Sequence, residues 1–346
     1  MREMEHLARF TLNWRNKTAT LVLLAILLVI PLLVSNEYYI HVLITLGLFV
    51  ILSLSLNLVS GYTGQLSIGH AAFYGIGAYV TALLMLKLNV SFLLALPASG
   101  LVTAFFGLLL GLPTMRLAGD YLAIVTLGFG EIVRLVLLNW DKVTRGPMGL
   151  PGIPAPELGT YIFMSKTPFY YLVLVLALLT VLAMRRIVNS GFGLSLIAVS
   201  QDELAAEAVG INTLRCKISS FIISAFFAGV AGGFYAVYIS FVSPDSFTFM
   251  DSIMVLEMVV LGGLASIPGS IIGAVVLGLV PELLRFMAEY RMLIFGALMV
   301  VIVIFKPDGF WSARKRTRNA IMKDLVARNM LDGKTVKPRG EVSESA

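Results

Sequence analysis

The chain has little charge and only one cysteine. Of its 346 residues, 13% are charged and 58% are hydrophobic, whereas soluble globular domains carry about 25% charged residues. This composition excludes an ordinary water-soluble domain. Cys216 has no second cysteine with which to form an internal disulfide, and no metal-ligand spacing surrounds it. The sequence therefore predicts a membrane protein without a disulfide framework.

The sequence also lacks the motifs on which common enzyme classes depend. It has no Gly-x-x-x-x-Gly-Lys-Ser/Thr phosphate loop, so any ATP hydrolysis must come from another chain. The three histidines, His6, His41 and His70, are scattered and form no metal-binding pattern. Gly128 and Gly130 lie inside an apolar run and do not continue into a dinucleotide fingerprint. We therefore expect no enzyme, no catalytic residues, and no metal or cofactor bound by this chain.

Long apolar blocks make up most of the sequence. A helix needs about 20 apolar residues to cross a hydrocarbon core about 30 Å thick. Eight blocks approach or exceed that length, at residues 18–34, 38–60, 66–86, 91–112, 121–138, 169–188, 218–241 and 292–305, and a ninth, 252–284, is longer still. We therefore expect an all-α polytopic transmembrane helical bundle.

The block 252–284 is too long for one straight crossing, and Gly262-Gly263 and Pro268-Gly269 interrupt it. Two short helices that both cross would bring the number of spans to ten. A re-entrant segment that turns back would leave eight. Both arrangements agree with the sequence, so we expect 8–10 spans with broken or re-entrant segments.

Basic residues indicate the orientation of the chain. Ten of the 26 Lys and Arg follow Phe305, and four more precede the first apolar block. Because Lys and Arg are retained on the cytoplasmic side, both termini are expected in the cytoplasm. The connection 185–217 is flanked by basic residues and is expected on the same side. We expect one membrane domain, residues 1–310, followed by a basic cytoplasmic tail, residues 311–346.

Polar side chains are interspersed with apolar ones between residues 57 and 79. Because lipid offers no hydrogen bonds, polar groups here need partners within the protein or a wet cavity. Two interpretations remain open, since these side chains could line a translocation path or could cap and bond neighbouring helices. The candidates for the path in this stretch are Asn57, Gln65, Ser67 and His70.

The charged residues inside apolar blocks include Glu131, Arg134 and Glu257. Glu257 is deeply embedded and completes the set of path candidates; a buried carboxylate must be paired or protonated, and the sequence names no partner. Glu131 and Arg134 are three residues apart, so they share a helix face and could pair. Only four apolar residues separate Arg134 from Asn139, which places the pair near the outer boundary. There it could anchor the helix, meet a docking protein or contact a substrate.

The expected cytoplasmic connection contains a short helical stretch. Asp202 and Glu203 suit a helix N-terminus, the alanines that follow favour helix, and Gly210 can end it. Such a helix could lie along the membrane and dock in a groove of a partner protein. A solvated connector is the alternative.

Four stretches closely resemble the LivM-type permeases of branched-chain amino acid ABC transporters, and they occur in the right order. They are GYTGQLSIGHAAF at 61–73, GDYLAIVTLGFGEIVR at 119–134, GPMGLPGIP at 146–154 and VLGGLASIPG at 260–269. The resemblance runs from about residue 57 to residue 309, which is most of the chain.

The resemblance implies a permease subunit of an ATP-driven, binding-protein-dependent importer of Leu, Ile and Val in the bacterial inner membrane. Such a subunit forms the translocation path by alternating access. The implied partners are a second homologous permease subunit, two ATPase subunits that use ATP and Mg²⁺, an extracytoplasmic binding protein and membrane lipid, but no nucleic acid. Permeases for urea and short amides resemble the same family, so this cargo stays open. An ATP-independent secondary transporter or channel is an alternative of another class.

In the resembled family, the segment at about 198–214 is the coupling helix, which receives the movement of the ATPase. The general importer pattern places Gly after Glu-Ala-Ala and three further residues. Here Gly210 stands seven residues after Glu203 and the later Pro is absent, so the register departs from that pattern. Which side chains touch the ATPase is therefore open. The residues that the resemblance assigns to this contact are Asp202, Glu203, Ala205, Ala206, Glu207 and Gly210.

Overall fold

Helices form most of the protein in the computed structural model, which describes residues 25–31, 36–117, 119–158, 161–163, 165–283 and 296. The helices with defined bounds are α1 (Glu37–Asn57), α2 (His70–Leu88), α3 (Phe92–Thr114), α4 (Asp120–Asn139), α5 (Asp141–Thr144), α6 (Lys166–Val188), α7 (Gly191–Gln201), α8 (Glu203–Ala208), α9 (Thr213–Ile239), α10 (Phe249–Gly262) and α11 (Ile267–Leu283). A π-helical turn, Leu58–Tyr62, continues α1. Within the described residues, six helices are long and apolar enough to cross a membrane, namely α1, α2, α3, α4, α6 and α9. The prediction of an all-α polytopic bundle is confirmed.

The strands are short and lie in the connections between helices. β1 (Leu150–Pro151) pairs antiparallel with β4 (Phe241–Val242), and β2 (Glu157–Leu158) pairs with β3 (Tyr161–Ile162). Single 3-10 turns precede β1 and follow β4, at Gly146–Met148 and Pro244–Ser246. Because β1 follows α4 and β4 follows α9, their pairing holds the ends of these two helices on one side of the bundle.

Helix α9 lies at the centre of the bundle, where it packs on α2 and α3. Small residues permit this packing. A Cβ on Gly77 of α2 would overlap the main chain of Gly229, and a Cβ on Gly232 would overlap the carbonyl of Tyr74. Small residues at helix contacts let backbones approach closely, as is general in membrane proteins. The glycines of α9 therefore determine where it can sit.

Six of the predicted spans correspond to described helices. The largest difference concerns 66–86, because α2 begins only at His70 and the preceding residues leave helical geometry, with Gly64 at φ +74°. The predicted spans 18–34 and 292–305 lie mostly outside the described residues, and the tail 311–346 lies wholly outside them. Residues 25–31 are helical, and the carbonyl of Leu27 accepts a hydrogen bond from Tyr170 Oη at 2.7 Å.

The block 252–284 forms two helices, α10 and α11, joined by a turn at the predicted break. Helix α11 follows the whole length of α1. At its start Ser266 O accepts a hydrogen bond from Asn57, and near its end Glu282 accepts one from the Tyr38 hydroxyl. With 14 and 17 residues, α10 and α11 rise about 21 and 26 Å, and neither is among the helices long enough to cross a membrane. The predicted break is present, and both predicted arrangements, two crossings or a re-entrant segment, stay predictions.

Candidate functional site

The two breaks in the helices meet at Asn57, the last residue of α1. Its side chain donates to Ser266 O at 3.2 Å and accepts from Ala265 N at 3.0 Å, and it is 1% exposed. A Cβ on Gly61 would overlap this side chain, so only glycine fits one turn later. Asn57 thus satisfies backbone groups that the turn between α10 and α11 leaves free. Of the two interpretations left open for Asn57, this geometry supports the structural one.

The chain between Tyr62 and His70 is unwound, and we call residues 63–69 the unwound segment. It is held by bonds to its neighbours: Gln65 N donates to Val59 O at 3.0 Å, and Ile68 N donates to Thr126 Oγ1 of α4 at 3.0 Å. A Cβ on the next residue, Gly69, would overlap the main-chain carbonyl of Thr126. The unwound segment is therefore packed tightly against α4.

Two side chains of the unwound segment carry unpaired polar atoms. Gln65 and Ser67 are 4% and 1% exposed. Gln65 Oε1 accepts a hydrogen bond from Ser220 Oγ at 3.2 Å, but Gln65 Nε2 and Ser67 Oγ have no partner among the described residues. A buried polar group left unbonded costs about 1–3 kcal/mol. These atoms are thus available to a ligand, to water or to a partner in another conformation.

His70, at the start of α2, is bonded to α1. Its Nε2 lies 2.8 Å from Ser55 Oγ of α1, and its ring packs edge-on against Phe73 with a centroid separation of 6.2 Å. Ser224 of α9 donates to Ser55 O at 2.7 Å. His70 is 1% exposed, so it does not face an open path in this conformation.

Glu257 occupies a different environment on α10. The residues that follow it, Met258 and Val259, are fully buried, whereas Glu257 is partly exposed at the surface of the chain. Within the described part of the chain its carboxylate forms no hydrogen bond or ion pair. The structure thus places it away from the other four path candidates, on a face that a neighbouring subunit or lipid could cover.

A small cleft with a cavity volume of about 10 Å³ lies between the starts of α2 and α10 and the middle of α4. Ser252 Oγ accepts a hydrogen bond from Ala71 N at 2.9 Å, which fixes α10 to α2 beside the cleft. The carboxylate of Glu131 is the charged group on the cleft wall. The walls are mostly apolar and include Ile68, Leu127, Phe247 and Phe249.

The predicted pairing of Glu131 with Arg134 is present at the rim of this cleft. Arg134 Nε lies 3.2 Å from Glu131 Oε2, and Arg134 Nη1 lies 3.7 Å from Asp245 Oδ1. These contacts join α4 to the turn before α10. Asp245 was not among the sequence candidates, because nothing in the spacing links it to a residue 111 positions earlier. In the regions that the structure describes, no three His, Cys, Asp or Glu side chains are grouped to hold a metal.

The predicted coupling segment is helical at α8, with the expected ends. Asp202 Oδ1 accepts from Ala205 N at 3.0 Å and caps the helix, and Gly210 follows its end with φ +84°. The wider range, about 198–214, is not one helix. Asp202 has extended backbone angles, φ −158° and ψ 115°, which separate α8 from α7, and the range also includes the start of α9.

The six residues assigned to the ATPase contact point in different directions. Ala206 is buried, Glu203 bonds Lys217 of α9, and Glu207 accepts from Thr213 of α9. Asp202, Ala205 and Gly210 are exposed. Sequence reasoning missed the two most prominent outward side chains, Leu204 and Val209, which are 78% and 76% exposed. Their apolar character in a segment expected in water was the available signal. The ATPase contact itself stays a prediction.

The span-length apolar helices, the buried unwound segment and the cleft beside it define a multi-pass membrane protein of the permease class. The family described as "Branched-chain amino acid transport system / permease component" matches residues 38–303. The chain belongs to this family, as its sequence motifs indicate.

Curated relatives agree with the family assignment. The chain is 41% identical over 318 residues to the high-affinity branched-chain amino acid transport system permease protein LivM of Salmonella typhimurium, covering 85% of this chain and 75% of that protein. It is 42% identical over 285 residues to LivM of Escherichia coli, covering 76% and 67%. The permease protein LivH of Salmonella typhimurium is 26% identical over 287 residues, covering 77% and 92%. No significant match was found among solved structures.

Proposed function

We propose that this chain is a membrane-spanning subunit of an ATP-driven, binding-protein-dependent importer of leucine, isoleucine and valine in a bacterial inner membrane. The observation that carries this proposal is its 41% and 42% identity to two LivM proteins, whose names describe high-affinity branched-chain amino acid transport. The chain itself catalyses no reaction and binds no cofactor in this proposal.

The translocation path runs along the cleft between α2, α4 and α10. Its apolar walls suit a branched aliphatic side chain, and Glu131, Thr248 and Ser252 supply a few polar groups. The unpaired atoms of Gln65 and Ser67 lie in the adjoining unwound segment and join the path when it opens. Binding sites commonly combine apolar walls with few convergent polar groups. In this conformation the cleft, at about 10 Å³, is far smaller than the roughly 300–1,000 Å³ typical of ligand pockets, so the path is closed. A second, homologous permease subunit completes it.

The likeness to both LivM and LivH supports a pair of permease subunits, since both relatives are named as permease proteins of branched-chain amino acid transport systems. Glu257 lies on a partly exposed face of α10, where such a subunit could neutralise its carboxylate. The other path candidates, Asn57 and His70, hold the walls of the path in place rather than contact the cargo.

Two ATPase subunits that bind ATP and Mg²⁺ dock on α7 and α8. This chain has no phosphate loop, which supports the assignment of ATP hydrolysis to separate subunits. The exposed apolar side chains of Leu204 and Val209 supply the contact with the ATPase. An extracytoplasmic binding protein delivers the amino acid to the opposite end of the bundle. Alternating access of the two permease subunits then moves the cargo inward.

Reconstitution tests this function. The chain is placed in vesicles with a second permease subunit, the ATPases and the binding protein, and uptake of labelled leucine is measured. We expect uptake only when all components and hydrolysable ATP are present, and none with an ATPase variant that lacks its phosphate-loop lysine.

Two results would replace the proposal. Uptake by this chain alone, driven by an ion gradient, would identify a secondary transporter or channel. A binding protein that retains urea or a short amide but ignores leucine would keep the mechanism and change the cargo.

A further inference from the structure

One face of α9 carries four buried polar side chains, which we call the α9 seam: Thr213, Lys217, Ser220 and Ser224. Each is at most 6% exposed. Their spacing of four, three and four residues places them on one side of a helix. Two of them bond α8, one bonds the unwound segment and one bonds α1, so the seam connects these three parts of the chain.

The first half of the α9 seam holds α8. Thr213 Oγ1 donates to Glu207 Oε1 at 2.7 Å, and Lys217 Nζ lies 2.6 Å from both carboxylate oxygens of Glu203. Lys217 Nζ also donates to Met115 O at 3.4 Å, at the end of α3. Lys217 Nζ therefore bonds both α8 and the end of α3. The matching four-residue spacings on α8 and α9 make this a two-point attachment.

Burial makes the attachment at Lys217 rigid. The side chain of Lys217 is 7% exposed, whereas that of Glu203 is 37% exposed. Removal of one partner from such a pair leaves an uncompensated buried charge. Separation of α8 from α9 would likewise leave the Lys217 ammonium buried without its counter-charge. Helix α8 and the start of α9 are therefore expected to move together.

The second half of the α9 seam reaches the cleft. Ser220 Oγ donates to Gln65 Oε1 of the unwound segment at 3.2 Å, and Ser224 Oγ donates to Ser55 O at 2.7 Å. Ser55 Oγ in turn lies 2.8 Å from His70 Nε2, at the start of α2. The rise from residue 217 to residue 224 is about 10 Å along the helix. The seam therefore spans the short distance between α8 and the unwound segment, whose Ile68 lines the cleft.

We propose that the α9 seam transmits the movement of α8 to the cleft, with Lys217 as the positioning residue that locks α8 to α9. This inference rests on the proposed function, in which α8 receives the movement of an ATPase. Rigid elements joined by packed and bonded side chains can carry such coupling. When α8 shifts, α9 shifts with it, and Ser220 and Ser224 displace the unwound segment and the start of α2.

The test is the coupling ratio, measured as ATP hydrolysed per leucine imported by the full reconstituted complex. Lys217→Met removes the ammonium and keeps most of the side-chain volume. We expect an assembled complex with wild-type basal ATP hydrolysis and a coupling ratio raised at least tenfold. Arg215→Met removes a charge of the same sign from an exposed position on α9 and should leave the ratio unchanged.

A covalent link between α8 and α9 should restore coupling when the ion pair is removed. Cysteines at positions 203 and 217, in a Cys216→Ala background, should uncouple the complex, and a short bismaleimide that joins them should restore coupling to near the wild-type ratio. If Lys217→Met fails to assemble, Glu203→Gln takes its place, because the glutamine amide oxygen can still accept a hydrogen bond from the buried Lys217 ammonium. It should raise the ratio severalfold.

An unchanged coupling ratio in Lys217→Met or Glu203→Gln would overturn the transmission role and leave a purely structural ion pair. Inhibition rather than rescue by the cross-link would overturn it as well, because α8 and α9 would then need to move apart. Failure of the proposed function looks different, since wild-type uptake would then proceed without ATP.

Discussion

Two polar regions of this protein are both buried, yet their polar atoms are satisfied to different degrees. Where α8 meets α9, Lys217 Nζ donates to Glu203 and to Met115 O, and Thr213 Oγ1 donates to Glu207. In the unwound segment, Gln65 Nε2 and Ser67 Oγ have no partner within the described residues. Folded proteins pair the large majority of their buried polar groups, so the second region departs from the rule and the first obeys it.

The difference distinguishes groups whose hydrogen bonds are complete from groups that are available to a transported molecule. The bonds of the paired region need no further ligand. The unpaired atoms need a ligand, a water molecule or a second conformation to be satisfied. Variants at tightly packed positions, or at hydrogen-bonded positions outside the α9 seam, should therefore reduce assembly. Variants at the unpaired atoms should reduce uptake while assembly stays intact.

The largest effect is expected from Gly69→Ala, which tests the packing of the unwound segment. The added Cβ would overlap the main-chain carbonyl of Thr126, which cannot rotate away. Overpacking of this kind costs about 3 kcal/mol, the upper end of the usual range. We expect a lower thermal midpoint and a smaller yield of the purified complex.

Gly128→Ala is the matched control, because no atom lies within 4 Å of its added Cβ. It should assemble normally. Equal stability of the Gly69→Ala and Gly128→Ala complexes would mean that the unwound segment is not held against α4 in the assembled transporter.

Asn57→Ala comes next, because it removes the side chain that joins the two helix breaks. Ala265 N and Ser266 O would each lose a partner. The expected cost is about 2 kcal/mol, since Ala265 is partly exposed and water can replace one bond. Asn139→Ala removes an exposed side chain bonded only to its own helix and should change the thermal midpoint much less. If Asn139→Ala lowered the thermal midpoint more than Asn57→Ala, Asn57 would not have the structural role assigned to it.

The helices could be predicted from the sequence because the residues that determine each helix are close together in the chain. Long apolar runs predict spans, Gly262-Gly263 and Pro268-Gly269 predict a break, and Asp202 with Gly210 predicts the ends of α8. The start of α2 was predicted four residues early, because Leu66 and Ile68 are apolar and nothing local marks the bonds that unwind this segment, such as that from Ile68 N to Thr126.

The site could be predicted only in part, because its partners are distant in sequence. Gln65 and His70 were singled out as polar groups in an apolar setting, but their contacts with Ser220 and Ser55 depend on tertiary packing. The Lys217 contact with Glu203 was equally invisible, since basic residues beside a span normally report orientation. Composition identifies unusual residues, and only the fold identifies their partners.

Gln65→Leu tests whether the unpaired amide contributes to transport. The substitution removes the bond from Ser220 but also removes the unbonded Nε2, so little net change in assembly is expected. Leucine uptake should fall about tenfold, equivalent to about 1.4 kcal/mol of barrier. Asn139→Leu removes an exposed amide that bonds only its own helix and should transport normally. Equal loss of assembly and uptake in Gln65→Leu would favour the interpretation that Gln65 only bonds neighbouring helices.

Ser67→Ala and Ser55→Ala compare the two kinds of buried hydroxyl directly, with the smallest expected change in stability. Ser55 Oγ bonds Leu52 O and His70 Nε2, so its removal should cost about 1 kcal/mol and lower the thermal midpoint. Ser67 Oγ has no partner among the described residues, so Ser67→Ala should leave the midpoint unchanged or slightly higher. If that hydroxyl serves the path, leucine uptake should nevertheless fall. A Ser67→Ala complex that is as unstable as Ser55→Ala would reveal a structural partner and remove the contrast between the two regions.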